Sequence, residues 1–343
     1  MSRERLDEVL RGPVVVAPMA GGPSTPDLVV AAAGAGALGF LAAGYLTGVA
    51  LVEELAQVRA ATREAFGVNV FVPGAPAAAP ERTAAYLESL APDARTLDAE
   101  LGDPAWDDDD WTGKILTLVE DPPAIVSFSF GCPAPEVIAA LQDADCAVAV
   151  TVTSPPEAEL AERAGADCLV VQGSEAGAHR GTFTNSDDDP GPDWELRPLI
   201  AAVAQVTDLP QIVTGGIMDA EAVAGLLSGS VRAVQCGTAF VRCPESGAHP
   251  VYKAALGDAR FTETRVTRAF SGRPARGLAN AFMADHPDAP AAYPEINNAT
   301  RPLRAAAARA GDADRMSLWA GTGYRAATTR PAAEVVELLT PQG

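Results

Sequence analysis

Short apolar runs that alternate with Ala- and Leu-rich stretches of helical pattern constrain this chain more than any other feature. The runs are Val14–Ala17, Ala37–Leu41, Val68–Val72, Ala124–Phe130, Ala147–Thr151, Cys168–Gln172, Gln211–Thr214 and Ala233–Gln235. Each has the length of a strand and is bounded by Gly, Pro or polar residues, the pattern of strands buried on both faces. Helix-start signals lie between them: Thr25-Pro26-Asp27, Ser154-Pro155-Pro156-Glu157 and Asp219-Ala220-Glu221. Eight such alternations predict an α/β fold, a TIM-type (β/α)8 barrel of parallel strands, with a doubly wound open sheet as the rival.

The alternation fails twice. Pro92 to Thr112 is acidic, with Asp107 to Asp110 in a row between Trp106 and Trp111. Consecutive carboxylates on a loop repel one another and face water, so this reads as a solvated insertion and not as a metal site. After Val241 the β/α rhythm stops. Residues 242–317 contain two or three helical patterns and Pro-rich joints, Tyr293-Pro294 among them. They predict a small, mainly helical lid subdomain on the substrate side of a barrel built from residues 1–241 and completed by residues 318–343.

Bulk properties narrow the function. The 343 residues, 48% of them hydrophobic, suffice for one large domain or one domain plus a smaller one. A formal net charge of −20 argues against nucleic acid or an anionic membrane surface as partner. The longest apolar stretch, Val29 to Leu55, is interrupted by Thr47, Glu53 and Glu54. The polar start Met1-Ser2-Arg3-Glu4-Arg5 lacks a signal core, so a cytoplasmic protein is expected. Cys132, Cys146, Cys168, Cys236 and Cys243 have no C-x-x-C spacing and read as buried free thiols.

Barrels of this type gather functional groups at the C-terminal ends of their strands. After the first strand, Ala17-Pro18-Met19-Ala20-Gly21-Gly22 is small enough to let a flavin ring approach the backbone, although a plain flexible loop has the same composition. Asn69 sits inside an apolar run, where a buried amide needs a partner, either a ligand or a neighbouring loop. The sixth unit ends Gln172-Gly173-Ser174-Glu175-Ala176-Gly177-Ala178-His179-Arg180-Gly181. Gln172 closes the strand, and His179 reads either as a general base or as a residue that merely caps the loop. Thr214-Gly215-Gly216-Ile217 and Gln235-Cys236-Gly237-Thr238 follow the last two strands, the usual phosphate-binding position of such barrels. They predict the phosphate of FMN held by backbone dipoles and the Thr238 hydroxyl. Ala33 to Gly39 superficially resembles a dinucleotide fingerprint, but its glycines precede a strand instead of following one.

Together these segments, with Gly67-Val68-Asn69-Val70-Phe71, Tyr293-Pro294, Arg301-Pro302-Leu303-Arg304 and Trp319-Ala320-Gly321, resemble the nitronate monooxygenase family, in its bacterial class I branch. The likeness runs in order over most of the chain and omits the acidic insertion. It implies noncovalent FMN touching Asn69, Gln172, Gly177, Gly216 and Gln235 to Thr238, with Pro18, Met19 and Gly215 as further cofactor candidates. It implies His179 as the catalytic residue, with Ala20, Arg180, Tyr293 and Trp319 as candidates for contact with substrate. The substrates implied are a small anionic nitronate, propionate 3-nitronate in the first instance, and O2, giving a carbonyl compound and nitrite or related nitrogen oxides by one-electron transfer to the flavin. A protonated His179 would stabilise anions, whereas a neutral one would take the α-proton of a nitroalkane. The chain departs from the family at Ala178, where a second glycine is usual, and at Thr322, where glutamine is usual. The rivals are an NAD(P)H-dependent flavin reductase of the enoyl-acyl-carrier-protein or quinone reductase type, a non-catalytic flavin-binding module, and a barrel that binds some other phosphate.

Overall fold

A computed structural model describes residue 6, residues 8–188, residue 191 and residues 193–342. Met1 to Arg5, on which the cytoplasmic expectation rests, lie outside the described residues. Eight parallel strands close into a barrel: β1 (Val14–Val16), β2 (Leu38–Ala42), β3 (Phe66–Phe71), β4 (Ile125–Ser129), β5 (Ala147–Val152), β6 (Cys168–Gln172), β8 (Gln211–Thr214) and β9 (Val231–Cys236). Val15 pairs with Leu38 on one side and Gln235 on the other, so the first and last strands meet and an open sheet is excluded. The strands coincide with the eight apolar runs, with ends displaced by up to two residues.

Burial explains the closure. Val15, Phe40, Ala149, Val170, Ile212 and Ala233 pack together inside the barrel, and Leu6, Val9 and Leu10 join them. Phe40 fits because Gly67 on the neighbouring strand has no side chain; a Cβ there would stand 2.3 Å from the Phe40 ring. Opposite faces of the strands pack against a ring of helices whose inner faces are Leu- and Ala-rich. These include α1 (Pro26–Gly34), α2 (Gly48–Ala61), α5 (Trp111–Glu120), α6 (Pro135–Asp143), α7 (Pro155–Ala164), α8 (Leu196–Val203), α9 (Ala220–Ala224) and α13 (Ala332–Leu339). The Thr25 and Asp219 side chains cap α1 and α9, accepting from Leu28 N and Ala222 N. Between α2 and α5 lie the short helices α3 (Pro80–Ser89) and α4 (Ala91–Thr96).

Over the barrel mouth stand α10 (Pro250–Ala255), α11 (Ala281–Asp285) and α12 (Glu295–Ala310). Alongside these helical lid elements is an antiparallel sheet that the apolar pattern did not announce. Strands β10 (Thr264–Thr267) and β11 (Ala275–Leu278) pair with each other, and β11 pairs with β7 (Ala178–His179) from the loop after β6. His179 therefore belongs to a strand paired with Ala275, not to a free loop.

The acidic stretch is largely exposed, as expected, and departs from a purely solvated face at Asp109. Asp109 turns inward, accepts from Tyr45 N at 2.8 Å and pairs at 2.7 Å with Lys114, whose side chain is 0% exposed. Asp110 accepts from Gly48 N, the first residue of α2, and Asp107 accepts from Asn298 Nδ2 on α12, each at 2.7 Å. Backbone N–H groups and one buried cation supply the counter-charge that a run of carboxylates cannot give itself. No three or more metal-ligating side chains cluster among the described residues, and none of the described helices is long and apolar enough to cross a membrane. The five cysteines are free thiols; all but Cys132 are buried, and burial pushes Cys236 and Cys243 up to about 12.

Candidate active site

A cavity of about 290 Å3 opens at the C-terminal ends of the strands. Its backbone wall comes from the ends of β1, β8 and β9: Ala17 to Gly21, Thr214 to Met218, and Gln235 to Thr238. The candidates Pro18, Met19, Ala20, Gly215, Gly216, Gln235, Cys236, Gly237 and Thr238 are all in this wall. Gly216 adopts φ +68°, and a Cβ on it would stand 2.7 Å from Thr322 Oγ1. Among the described residues, the N–H groups of Gly215, Gly216, Gly237 and Thr238 donate to no group of the chain. Thr238 Oγ1 accepts from Gly321 N at 3.0 Å, which leaves its own O–H available. Unpaired N–H groups beside a cavity need acceptors, and an anionic group with several oxygens is the matching ligand.

A polar floor crosses four adjacent strands. Asn69 Nδ2 donates to Ser127 O, Ser127 Oγ and Ser129 Oγ at 2.9–3.1 Å, and Ser129 Oγ lies 3.3 Å from Thr151 Oγ1. Gln172 spans the next loop, with Nε2 donating to His179 O at 3.1 Å and Oε1 accepting from Gly181 N at 2.8 Å. Both Asn69 and Gln172 thus have partners in the chain while lining the cavity. Gly177 lines it too, and a Cβ there would meet Gly321 N at 2.5 Å, so only glycine permits this approach.

Side chains build the opposite wall. His179 Nε2 lies 2.8 Å from Ser271 Oγ, and Ser271 donates its hydroxyl to Arg273 O at 3.2 Å. With that hydrogen committed, Ser271 accepts from His179 Nε2–H, and the ring's lone pair falls on Nδ1. The imidazole sits among Phe130, Tyr293 and Trp319, with ring centroids 5.4–5.7 Å away. Burial, and then the charges of Arg273 and Arg304, push its pKa down to about 3. His179 is therefore neutral at ordinary pH and not the standing cation that the sequence also allowed; its Nδ1 lone pair is free, and an anion formed beside it would raise its proton affinity. Ala178 beside it holds φ +64°, the left-handed backbone that glycine would adopt at less cost.

Two substrate candidates lie elsewhere. The Arg180 guanidinium is buried away from the cavity, where Nη1 donates to Gly173 O at 3.0 Å and Nη2 pairs with Asp193 at 2.8 Å, so it fastens the loop after β6. Tyr293 stands behind His179, follows a chain bent by a cis Tyr293-Pro294 bond, and donates to Tyr45 Oη at 3.3 Å. It lines a second cavity, of about 1070 Å3, which shares Tyr45, Phe71 and Phe130 with the first. Trp319 does line the first cavity, as expected.

Several site residues escaped the sequence reading. Ser127, Ser129 and Thr151 left a usable signal, since polar residues at alternate positions of an otherwise apolar strand share one face. Ser271, Arg273 and Tyr45 left none, because they come from segments without periodicity, and Phe130, at the end of an apolar run, reads as strand and not as site. Arg304, from α12, also lines the cavity. Its Nη2 donates to Asn297 O at 3.0 Å and to Asn297 Oδ1 at 2.8 Å.

A family model described as nitronate monooxygenase matches residues 3–342. The nitronate monooxygenase of Pseudomonas aeruginosa is 38% identical, with 97% of this chain and 96% of that protein aligned. The crystal structure of nitroalkane oxidase from Streptomyces ansochromogenes superposes with a TM-score of 0.95 at 46% identity, covering 98% of this chain and 96% of its own. FabK from Thermotoga maritima is more distant, with a TM-score of 0.70 at 26% identity, covering 99% of this chain and 95% of that one. By a match that runs over nearly the whole chain, the protein belongs to the nitronate monooxygenase family of oxidoreductases.

Proposed function

We propose that the protein is an FMN-dependent nitronate monooxygenase, which oxidises small alkyl nitronates with O2 to carbonyl compounds and nitrite. The observation that carries this reading is a neutral His179 facing a cavity whose other wall is a cradle of unpaired backbone N–H groups. Residues present fit FMN. Gly215, Gly216, Gly237 and Thr238 offer N–H groups and a hydroxyl to its phosphate, Gly177 and Gly216 leave room where a Cβ would collide, and Asn69 and Gln172 present amides along the floor. When bound, FMN supplies the electron acceptor and the site of the oxygen chemistry.

The chain's own residues do the rest. With a neutral nitroalkane, His179 Nδ1 takes the α-proton while Ser271 holds the ring through Nε2. With a preformed nitronate there is no proton to remove, and the pocket has only to bind and orient the anion. Phe130, Tyr293 and Trp319 shield the imidazole from water and keep it neutral. Residues 242–317 act as the lid: they bring Ser271, Arg273, Tyr293 and Arg304 to the barrel mouth and bound the substrate side.

Releasing the chromophore by heat and weighing it tests the cofactor; FMN is expected, and FAD or a colourless protein that FMN cannot reconstitute would overturn the reading. Anaerobic mixing then tests the reaction: a nitronate should reduce the flavin promptly and NADH should not. Prompt bleaching by NADH or NADPH would favour a flavin reductase instead, the reading that the likeness to FabK keeps in play.

A further inference from the structure

Arg304 is the one charged side chain among the described residues that line the main cavity; no Asp, Glu or Lys faces it. Its guanidinium forms no ion pair within the described chain. Nη2 is held by the backbone and side chain of Asn297, Nη1 reaches Ser317 Oγ at 3.4 Å, and Nε is buried with no acceptor at all. The groups whose charges act on it are Tyr45, Arg301 and Tyr293, none of them an anion at neutral pH. A half-buried cation without a counter-ion costs free energy, which an anionic ligand in the cavity would offset. The surroundings sharpen the need, because the whole chain carries a formal net charge of −20 and repels anions at long range. Only a local, desolvated cation reverses that sign inside the cavity. The phosphate of a cofactor is not the anion concerned, since the cradle for it lies on the backbone wall, whereas Arg304 stands on the wall of His179 and lowers that residue's proton affinity.

We propose that Arg304 is the residue that recognises the nitronate anion itself, and that through it the enzyme prefers the deprotonated form of its substrate to the neutral nitroalkane. The inference rests on the nitronate-oxidising function proposed above. A nitronate is a planar group with two oxygens sharing one negative charge, and a guanidinium N–H can give one of them a charge-assisted hydrogen bond. Asn297 engages Nη2 twice, Ser317 engages Nη1 once and Nε is closed off, so the second Nη1–H is the one left to donate to an anion in the cavity. Arg304 and His179 then divide the work: Arg304 binds the anion, and His179 makes the anion when the neutral form arrives.

The test compares the flavin-loaded wild type with Arg304→Met and Arg304→Lys. Nitrate, a planar oxyanion that is not a substrate, is the probe for binding by calorimetry. Ethylnitronate and nitroethane are the paired substrates for oxygen uptake. Losing hydrogen bonds from a charged group should weaken nitrate binding in Arg304→Met, and raise its KM for ethylnitronate, by roughly 10- to 100-fold. Its KM for nitroethane should move less than about threefold, and Arg304→Lys should recover most of the lost nitrate affinity by charge alone. Equal losses on ethylnitronate and nitroethane, or nitrate binding unchanged in Arg304→Met, would overturn the proposal. So would an Arg304→Lys variant that folds, holds flavin and binds nitrate no better than Arg304→Met. A wild type that binds nitrate through Arg304 but oxidises neither substrate would instead overturn the proposed function and leave the anion site standing.

Discussion

The two walls of the cavity are built on opposite plans. One, at the ends of β1, β8 and β9, is backbone: glycines, unpaired N–H groups and a single hydroxyl at Thr238. The other is side chain: His179, Arg304 and Trp319 at its surface, backed by Ser271, Arg273 and Tyr293, drawn from β7 and from segments about 90 to 140 residues further along. The backbone wall holds no Asp, Glu, Lys, Arg or His, and at Gly216 it leaves no room for a Cβ. The side-chain wall holds two guanidinium groups that burial drives down to about 10, and an imidazole that burial and those same groups drive to about 3. A fixed ligand such as a phosphate suits a rigid row of peptide dipoles, whereas a reacting ligand that changes its protonation needs groups whose charge can be tuned. Chemistry and anchoring are therefore separable by mutation.

The largest effect should come from the side-chain wall. His179→Asn should keep FMN and lose roughly 10²- to 10⁴-fold in activity on neutral nitroalkanes, the usual size of a general-base contribution. Preformed nitronate should lose less; oxygen uptake with both forms decides, and equal losses would show that His179 is not a base. The same variant has a signature in stability. With a folded pKa of about 3 against roughly 6.5 unfolded, the unfolded chain binds the extra proton between those values. The contribution of neutral His179 is therefore complete above about pH 6.5 and is lost as pH falls toward 3. Denaturant titrations across that window should show a shallower pH slope in His179→Asn than in wild type, and an unchanged slope would mean that His179 is not buried neutral.

Next in size is the support behind that wall. Lys114→Met leaves the Asp109 carboxylate, already raised by burial, without its cation beneath Tyr45. A loss of about 3 kcal/mol of unfolding free energy is expected, as for one partner removed from a buried pair. A change within error would mean that water already solvates Asp109. The backbone wall should break differently. Gly216→Ala forces a side chain onto φ +68° and into Thr322, costing about 1–2 kcal/mol in stability. It should also weaken FMN retention in dialysis, while the turnover of whatever fraction stays flavinated is preserved. Normal FMN affinity would separate the phosphate from these glycines. The smallest effect is at Ala178, whose φ of +64° favours glycine. Ala178→Gly should stabilise by up to about 1 kcal/mol in a thermal melt, with activity unchanged.

The comparison also divides what was legible. Apolar runs named all eight barrel strands, because a strand buried on both faces must be apolar throughout. The glycine loops named the backbone wall, because only glycine fits where a chain must pass close to a ligand or turn through positive φ. His179 stood out by rarity and by its place after a strand. Arg180 misled, since a charged residue beside a catalytic candidate looks like a ligand contact until its partners, Gly173 O and Asp193, are seen. The acidic run was legible in part: Asp107 and Asp110 are exposed as expected, whereas Asp109 turns inward to Lys114 and Tyr45 N, which no local pattern shows.

By itself the sequence determined the eight strands and the glycine-lined end of the cavity, since each follows from local periodicity or from the steric needs of single residues, whereas closure into a barrel rests on the long-range pairing of the first strand with the last. Only the tertiary structure decided the other end. Whether His179 is charged depends on Phe130, Trp319 and two arginines that no local pattern ties to it. That Arg304 is unpaired, and Arg180 paired, depends on which carboxylates the folded chain brings within reach. Electrostatic character belongs to the set of neighbours in space, and for this wall the neighbours come from segments far apart in the chain.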